Sequence, residues 1–147
     1  MSTKEFEKQM SDRLAELNDM LKKQIKDLSS FDYPEQVKGL EFVYFSGDLP
    51  NNLPLRVFFM DGNQNEVIIE GEMFKATNAN TEFESVKPLF DLDELDAFED
   101  EDVDTFEAST EVFIDWFKGV WKEAVDPKFS ISARVCEHSN PNEFVEL

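Results

Sequence analysis

Closely spaced carboxylates between residues 91 and 104 are the side chains of this sequence with the most evident capacity for chemistry. Residues 76–117 contain fourteen acids and a single base, Lys87. Carboxylates at this density attract cations and basic protein surfaces, and they repel nucleic acid and anionic membranes. The sequence therefore predicts a basic protein as partner, with no direct binding of nucleic acid or membrane. The predicted partner contacts are Asp93, Glu94, Asp96, Glu99, Asp100, Glu101, Asp102 and Asp104.

The charge of the whole chain supports this prediction because it is both large and uneven. The 147 residues have a formal net charge of -19, whereas residues 1–30 contain six acids and six bases. A field of this kind accelerates association with a basic partner and makes that association sensitive to salt. An alternative interpretation stays open, in which the acids form a solvated connection that only keeps the protein soluble.

Some of the same acids match part of a calcium-binding loop. Asp100, Asp102, Asp104 and Glu111 fit the first, third, fifth and last positions of the template. The template also requires a glycine at its sharp turn, where this chain has Thr105. A segment this acidic matches alternating acids by chance, so we predict no metal site and no cofactor.

One cysteine and one histidine are the remaining candidates for catalysis. Cys136 and His138 would share a strand face, because side chains alternate along a strand, and such a pair can act as nucleophile and base. Both lie near the C-terminus, however, at the end of a predicted strand. The sequence has no phosphate-binding glycine motif and no metal-binding cluster of His and Cys. It therefore predicts a binding protein rather than an enzyme.

Two tryptophans lie in an aromatic segment directly after the acids. Trp121 and Phe117 lie on the main apolar stripe of a predicted helix, where aromatic residues usually belong to the core. Trp116 lies beside that stripe. Since exposed Trp often dominates the affinity of an interface, we predict Trp116 as the apolar anchor of the partner surface if it is exposed.

Two amphipathic helices are predicted to position these residues. Apolar side chains at spacings of three and four from Phe6 to Leu28 predict one N-terminal helix of about seven turns, with Ser2 as its N-cap. A second, aromatic-rich helix is predicted to begin after Asp104 as N-cap and to end before Asp126 and Pro127. This second helix would follow the acids without a break.

Alternating apolar and polar residues predict strands over 41–46, 55–60, 66–74 and 129–136, with a last short strand at 144–145. The sequence DGNQN after the second strand is typical of a hairpin turn. Strands grouped between two helices predict the α+β class. We expect a single antiparallel sheet of about four strands, packed against the N-terminal helix and the aromatic-rich helix.

The whole chain, 1–147, is predicted to form one α+β domain with an acidic connecting segment over 76–104. Leu92, Leu95, Phe98 and Val103 lie among the acids of that segment. These apolar residues could hold the segment against the body of the protein as a short helical turn. Alternatively the segment is loose, because its charges repel one another.

The order of these elements resembles a known family. The chain has a long N-terminal helix, a strand reading GLEFVYFSG, a Phe-rich hairpin, an acidic approach to a Trp/Phe helix and a final strand. In this layout and composition it is similar to bacterial toxin-immunity proteins, in particular the YezG-like family. The resemblance implies a small acidic α+β protein that binds and neutralises a nuclease toxin. No functional residue is carried over from the family.

We therefore expect a cytoplasmic protein that inhibits a basic partner by occlusion, as an immunity protein or a nucleic-acid mimic would. A lone cysteine and an N-terminus without an apolar signal segment favour a reducing compartment. The alternative is a non-catalytic structural or regulatory subunit that binds through its sheet edge or its N-terminal helix.

Overall fold

The computed structural model describes residues 2–48, 55–67, 81–82 and 89–147. Within these ranges none of the helices is long and apolar enough to cross a membrane. The helices are α1 (Thr3–Ala15), α2 (Asn18–Ser30), α3 (Leu92–Asp100) and α4 (Thr105–Ala124), and the strands are β1 (Gly39–Tyr44), β2 (Leu55–Met60), β3 (Thr81–Glu82), β4 (Ser132–Glu137) and β5 (Val145–Glu146).

The N-terminal apolar stripe forms two helices rather than the single helix that its spacing predicts. The α1 helix begins at the predicted cap, where the Ser2 hydroxyl accepts a hydrogen bond from the Glu5 amide at 3.2 Å. It ends at Ala15, and α2 begins at Asn18 without a side-chain cap. The stripe continues across the break, because Leu14 and Leu21 are both fully buried.

The five strands form one sheet in the order β3-β2-β1-β4-β5. The α+β class is confirmed, but the sheet is mixed rather than antiparallel because β1 pairs with β4 in parallel. Parallel neighbours need a long crossover connection, which here includes α4. The remaining neighbours, β1 with β2, β2 with β3 and β4 with β5, are antiparallel, although β3 was not among the predicted strands.

Aromatic residues join α4 to one face of the sheet. Tyr44 on β1 stacks on Phe113 with ring centroids 4.3 Å apart, and its hydroxyl donates to Ser109 at 2.8 Å. Phe42 lies 4.8 Å from Phe117 between ring centroids. Packed aromatic pairs of this kind add to the free energy gained by burying their area. Helices α1 and α2 pack against α4, so the helices form a layer on this face.

Two predictions on the central part of the chain fall partly outside the described residues. In the predicted strand over 66–74, Glu66 forms a single antiparallel bridge with Met60, and residues 68–74 are not described. In the predicted acidic connection over 76–104, residues 76–80 and 83–88 are likewise outside. The described part of that connection contains β3, α3 and the residues that join α3 to α4.

Candidate acidic binding surface

The acids after Asp91 form a helix, α3. The sequence was compatible with either a short helical turn or a loose segment at this position, and the structure has the helix. The Asp91 carboxylate accepts a hydrogen bond from the Glu94 amide at 2.8 Å, and the Glu94 carboxylate accepts one from the Asp91 amide at 3.2 Å. This reciprocal capping box satisfies two backbone donors that a helix otherwise leaves unpaired at its start. Acids in the first turn also suit the positive end of the helix dipole.

Apolar residues on the inner side of α3 hold it against the body of the protein. Leu95 and Phe98 are 7% and 2% exposed. The Phe98 ring makes an edge contact with Phe6 of α1, with centroids 5.1 Å apart, and Phe6 also stacks on Phe90 at 5.0 Å. Burying a Phe side chain contributes about 1.5–3 kcal/mol, so this cluster fixes α3 in place.

Arg13 of α1 adds a polar link between α1 and α3. Its guanidinium donates to the Leu89 carbonyl at 2.6 Å and to both carboxylate oxygens of Glu94, and it lies 4.4 Å from the centroid of the Phe90 ring. The hydrogen bond from Arg13 holds the pKa of Glu94 below its usual range. The charge of Glu94 is therefore shared within the protein, and its side chain is only 36% exposed.

Three other acids of α3 lie together on its outer side. Asp93, Asp96 and Asp100 are all exposed, and spacings of three and four place them on one helix face. Glu99 is also exposed, and its carboxylate accepts the Thr105 hydroxyl at 2.8 Å. We call the exposed carboxylates of α3 and of the α3–α4 connection the acidic surface; its members are Asp93, Asp96, Glu99, Asp100, Glu101, Asp102 and Asp104.

The connection between α3 and α4 is short and hydrogen-bonded. The Asp102 amide donates to the Glu99 carbonyl at 3.0 Å, and the Val103 amide donates to the Phe98 carbonyl at 3.1 Å. These bonds define a Schellman motif, in which Asp102 has the left-handed conformation with φ 61. Val103 is buried, and the Asp104 carboxylate caps α4 by accepting the Glu107 amide at 3.0 Å. The acids here are therefore fixed in position by their own backbone.

Trp116, the predicted apolar anchor, is half-buried on α4. It comes after the acidic surface in the chain. Its indole N–H donates to the Asn18 side chain at 2.6 Å, and its ring makes an edge contact with Phe113 at 5.5 Å between centroids. The indole N–H is thus already used within the protein. Leu92, which was predicted to help hold this segment against the body of the protein, is instead 60% exposed next to the acids, and Phe106 is 43% exposed.

The calcium template is not supported by the backbone of this segment. The second half of the template lies inside α4, which begins at Thr105 and is helical through Glu111, so those residues cannot wrap around an ion. In the described part of the chain, no group of three or more His, Cys, Asp or Glu side chains could hold a metal ion.

Cys136 lies on β4, whereas His138 lies directly after the last residue of that strand, Glu137, and the two do not form an activated pair. The Cys136 Sγ atom lies 3.9 Å from Oε1 of Glu41, and burial raises the pKa of the thiol to about 11. The His138 ring stacks on Phe45, with centroids 4.6 Å apart. Since the thiolate is the nucleophile, a thiol with a raised pKa is poorly suited to covalent catalysis at neutral pH.

Comparison with protein-family models, with curated proteins and with solved structures gave no match to this chain.

Proposed function

We propose that this protein binds a basic partner protein through the acidic surface and inhibits it by occlusion. The observation that carries the proposal is the placement of Asp93, Asp96 and Asp100 on the outer face of a helix whose inner face is buried in the core. Carboxylates on a fixed helix can meet lysine and arginine side chains without the loss of backbone entropy that ordering a flexible segment requires. A flexible acidic tail would lack that advantage.

The charges at the end of α3 further favour a cationic partner. Asp100 lies in the last turn of α3, which contains no basic residue. An acid at that position interacts unfavourably with the negative end of the helix dipole. A bound lysine or arginine would offset this repulsion, so part of the binding free energy comes from relieving a cost that the free protein has.

The concrete form of the proposal is an immunity protein against a nuclease toxin, acting in the cytoplasm. A nuclease presents a basic cleft to the phosphates of its substrate. A row of carboxylates on a helix can occupy such a cleft as a mimic of those phosphates, which excludes the substrate without any catalysis. Long-range attraction between the two surfaces would make the association fast at low salt.

The test is affinity capture from an extract of the cells that produce this protein, followed by an inhibition assay. We expect recovery of a basic nuclease or nucleic-acid-binding enzyme at about 50 mM salt and its loss at about 500 mM salt, because exposed charges are screened at the higher value. The purified partner should lose its activity when the protein is added in equimolar amount.

A charge-matched pair of variants makes the test specific. The triple variant D93N/D96N/D100N should neither capture nor inhibit the partner. The control D27N/E35Q/E143Q removes the same charge from exposed acids outside the acidic surface, and it should behave as the wild type. Recovery of a neutral partner whose binding ignores both salt and the triple variant would instead favour a structural or regulatory subunit.

A further inference from the structure

The sheet has a second face, opposite the helices, on which the described residues leave two adjoining grooves. The larger groove has a volume of about 380 Å³ and runs over β2, β1 and the end of β4. The smaller one, of about 280 Å³, continues it along β1 and β4 toward the C-terminal residues. Glu41, Met60 and Gln64 line both of them. We call the two together the sheet groove.

Most of the floor of the larger groove is apolar. It includes the side chains of Val43, Phe58, Met60 and Cys136. Cys136 is a neutral thiol here, because burial raises its pKa to about 11. Beside this floor the stacked pair of Phe45 and His138 forms a flat wall. Such a surface suits aliphatic side chains, which release water when they pack on it.

One carboxylate projects into this apolar environment, that of Glu41 on the central strand β1. Its side chain is only 14% exposed. The contacts it makes are long and both involve Oε1: Arg134 Nη2 at 3.4 Å and the Cys136 Sγ atom at 3.9 Å. Among the described residues no donor lies within hydrogen-bond distance of Oε2. Of the side chains that the structure describes, only Gln24 has a fully buried polar atom without a hydrogen-bond partner. Oε2 of Glu41 is therefore open to solvent and can accept a further donor.

The charges around Glu41 select a cation rather than an anion or a neutral donor. Arg134 already contacts Glu41 and also lies over the Phe144 ring, 4.4 Å from its centroid. The remaining charged residues that line the groove are Lys38, Asp61, Glu66 and Glu146. Acids therefore outnumber bases around the groove, and a bound lysine would complete the hydrogen bonding of Glu41 in a site partly shielded from water.

We infer that the sheet groove binds an extended segment of a partner protein in which a lysine lies between apolar residues. The lysine would reach Oε2 of Glu41, and the apolar side chains would pack on Val43, Phe58 and Met60. A groove that is open along its length and crosses three strands suits a chain segment better than a compact ligand. The inference does not rest on the proposed function, because α3 lies in the helix layer on the other side of the sheet.

The probe is a capped leucine-lysine-leucine peptide, and the readout is the methyl NMR spectrum of the protein with ¹³C-labelled methionine. Met60 lines the groove, whereas Met10 is fully buried among the helices and serves as the internal reference. We expect the Met60 methyl signal to shift on titration while the Met10 signal stays in place. The Met60 signal is assigned from its loss in M60L.

Two matched comparisons decide whether Glu41 recognises the lysine. A peptide with norleucine in place of lysine, or the variant E41Q with the original peptide, should bind about tenfold more weakly, as expected for a lost charge-assisted hydrogen bond. The control E143Q removes an exposed acid that does not line the groove, and it should leave the affinity unchanged. Thermal unfolding of E41Q shows whether the variant keeps its fold.

Three results would overturn the inference. Equal binding of the lysine and norleucine peptides, or equal binding by wild type and E41Q, would show that Glu41 does not select a cation. Binding of n-butylammonium as tightly as the peptide would show that the groove takes small amines instead of a protein segment. The D93N/D96N/D100N variant should bind the peptide normally, so failure here and failure of the proposed function give different results.

Discussion

The acidic surface and the sheet groove lie on opposite sides of the sheet, and they differ in almost every physical respect. On the acidic surface, carboxylates are exposed on a helix and its connection, and the apolar residues below them face the core. In the sheet groove, apolar side chains face outward around one mostly buried carboxylate. Both would favour cations, but the first would do so through long-range attraction and the second through short-range contact.

Net charge alone therefore does not define where a protein of charge -19 binds its partners. At 0.1 M ionic strength, salt largely screens the interaction between exposed charges that are more than about 10 Å apart, whereas partly buried groups are screened much less. Binding at the acidic surface should therefore weaken strongly with salt, and binding in the groove should depend more on apolar contact. Substitutions in α3 and its connection can separate the contacts that hold the acidic surface in place from the effects of its charges.

The largest effect is expected from F98A, which removes the main apolar contact beneath α3. Loss of a buried Phe side chain typically costs about 3–5 kcal/mol through lost burial and the cavity left behind. Urea unfolding should show a decrease of this size in the free energy of unfolding. The exposed neighbour Leu92 supplies the control, since L92A should change it by less than about 0.5 kcal/mol. A small effect of F98A would mean that other contacts fix α3.

A smaller effect is expected from E94Q, which removes the charge that pairs with Arg13 and keeps a side chain able to complete the capping box. Both partners are about a third exposed, so after screening by solvent the loss should be about 1 kcal/mol at neutral pH. Arg13 lowers the pKa of Glu94 in the folded protein. The stabilisation is therefore present above the unfolded pKa of about 4.3 and is lost as the pH falls through the folded value.

The measurement for this prediction is chemical unfolding of wild type and E94Q between about pH 3 and pH 7. The difference in free energy of unfolding should be largest at neutral pH and should shrink toward the acid end. A difference that stays constant across this range would mean that the carboxylate charge does not contribute.

The backbone of the α3–α4 connection offers a gain in stability. Asp102 has φ 61, a conformation that costs glycine little and other residues more. We expect D102G to raise the free energy of unfolding by about 0.5–1 kcal/mol. The variant D102A removes the same charge but keeps a β-carbon that disfavours the left-handed conformation, so a similar gain in D102A would assign the effect to charge repulsion rather than to the backbone.

The smallest effects should have opposite signs at the two ends of α3. Asp93 lies in the first turn and Asp100 in the last, so the helix dipole favours the first charge and disfavours the second. At low salt D93N should lower the free energy of unfolding and D100N should raise it, each by about 0.3–0.5 kcal/mol. Both differences should fade at high salt, which thermal unfolding at two salt concentrations would show.

The elements that were predicted correctly are those determined by residues close to them in the sequence. Strand β2 has the predicted bounds, and α4 begins after Asp104 and ends at Ala124 because a side-chain cap and a following proline act within one helical turn. The N-terminal break has no such signal, since the sequence there contains neither glycine nor proline. Asn18 at the start of α2 instead accepts a hydrogen bond from Trp116, 98 residues away.

The topology and the candidate site also depend on contacts between residues that are distant in the chain, which local patterns do not contain. Alternation of apolar and polar residues assigns Phe42 and Val43 to opposite faces of β1, but it contains no information on strand direction, so the parallel pairing with β4 was not predictable. The density of acids indicated the acidic surface. The pairing of Glu94 with Arg13, 81 residues away, depends on how α1 packs on α3 and could not be read from the sequence.

The most direct test of the central claim is the affinity for the captured basic partner, measured for wild type, D93N/D96N/D100N and D27N/E35Q/E143Q at about 50 mM and about 500 mM salt. We predict that the first triple variant loses most of the affinity at low salt and most of the salt dependence, while the second retains both. Equal affinities of the two triple variants, with the same salt dependence, would contradict a specific role of the acidic surface.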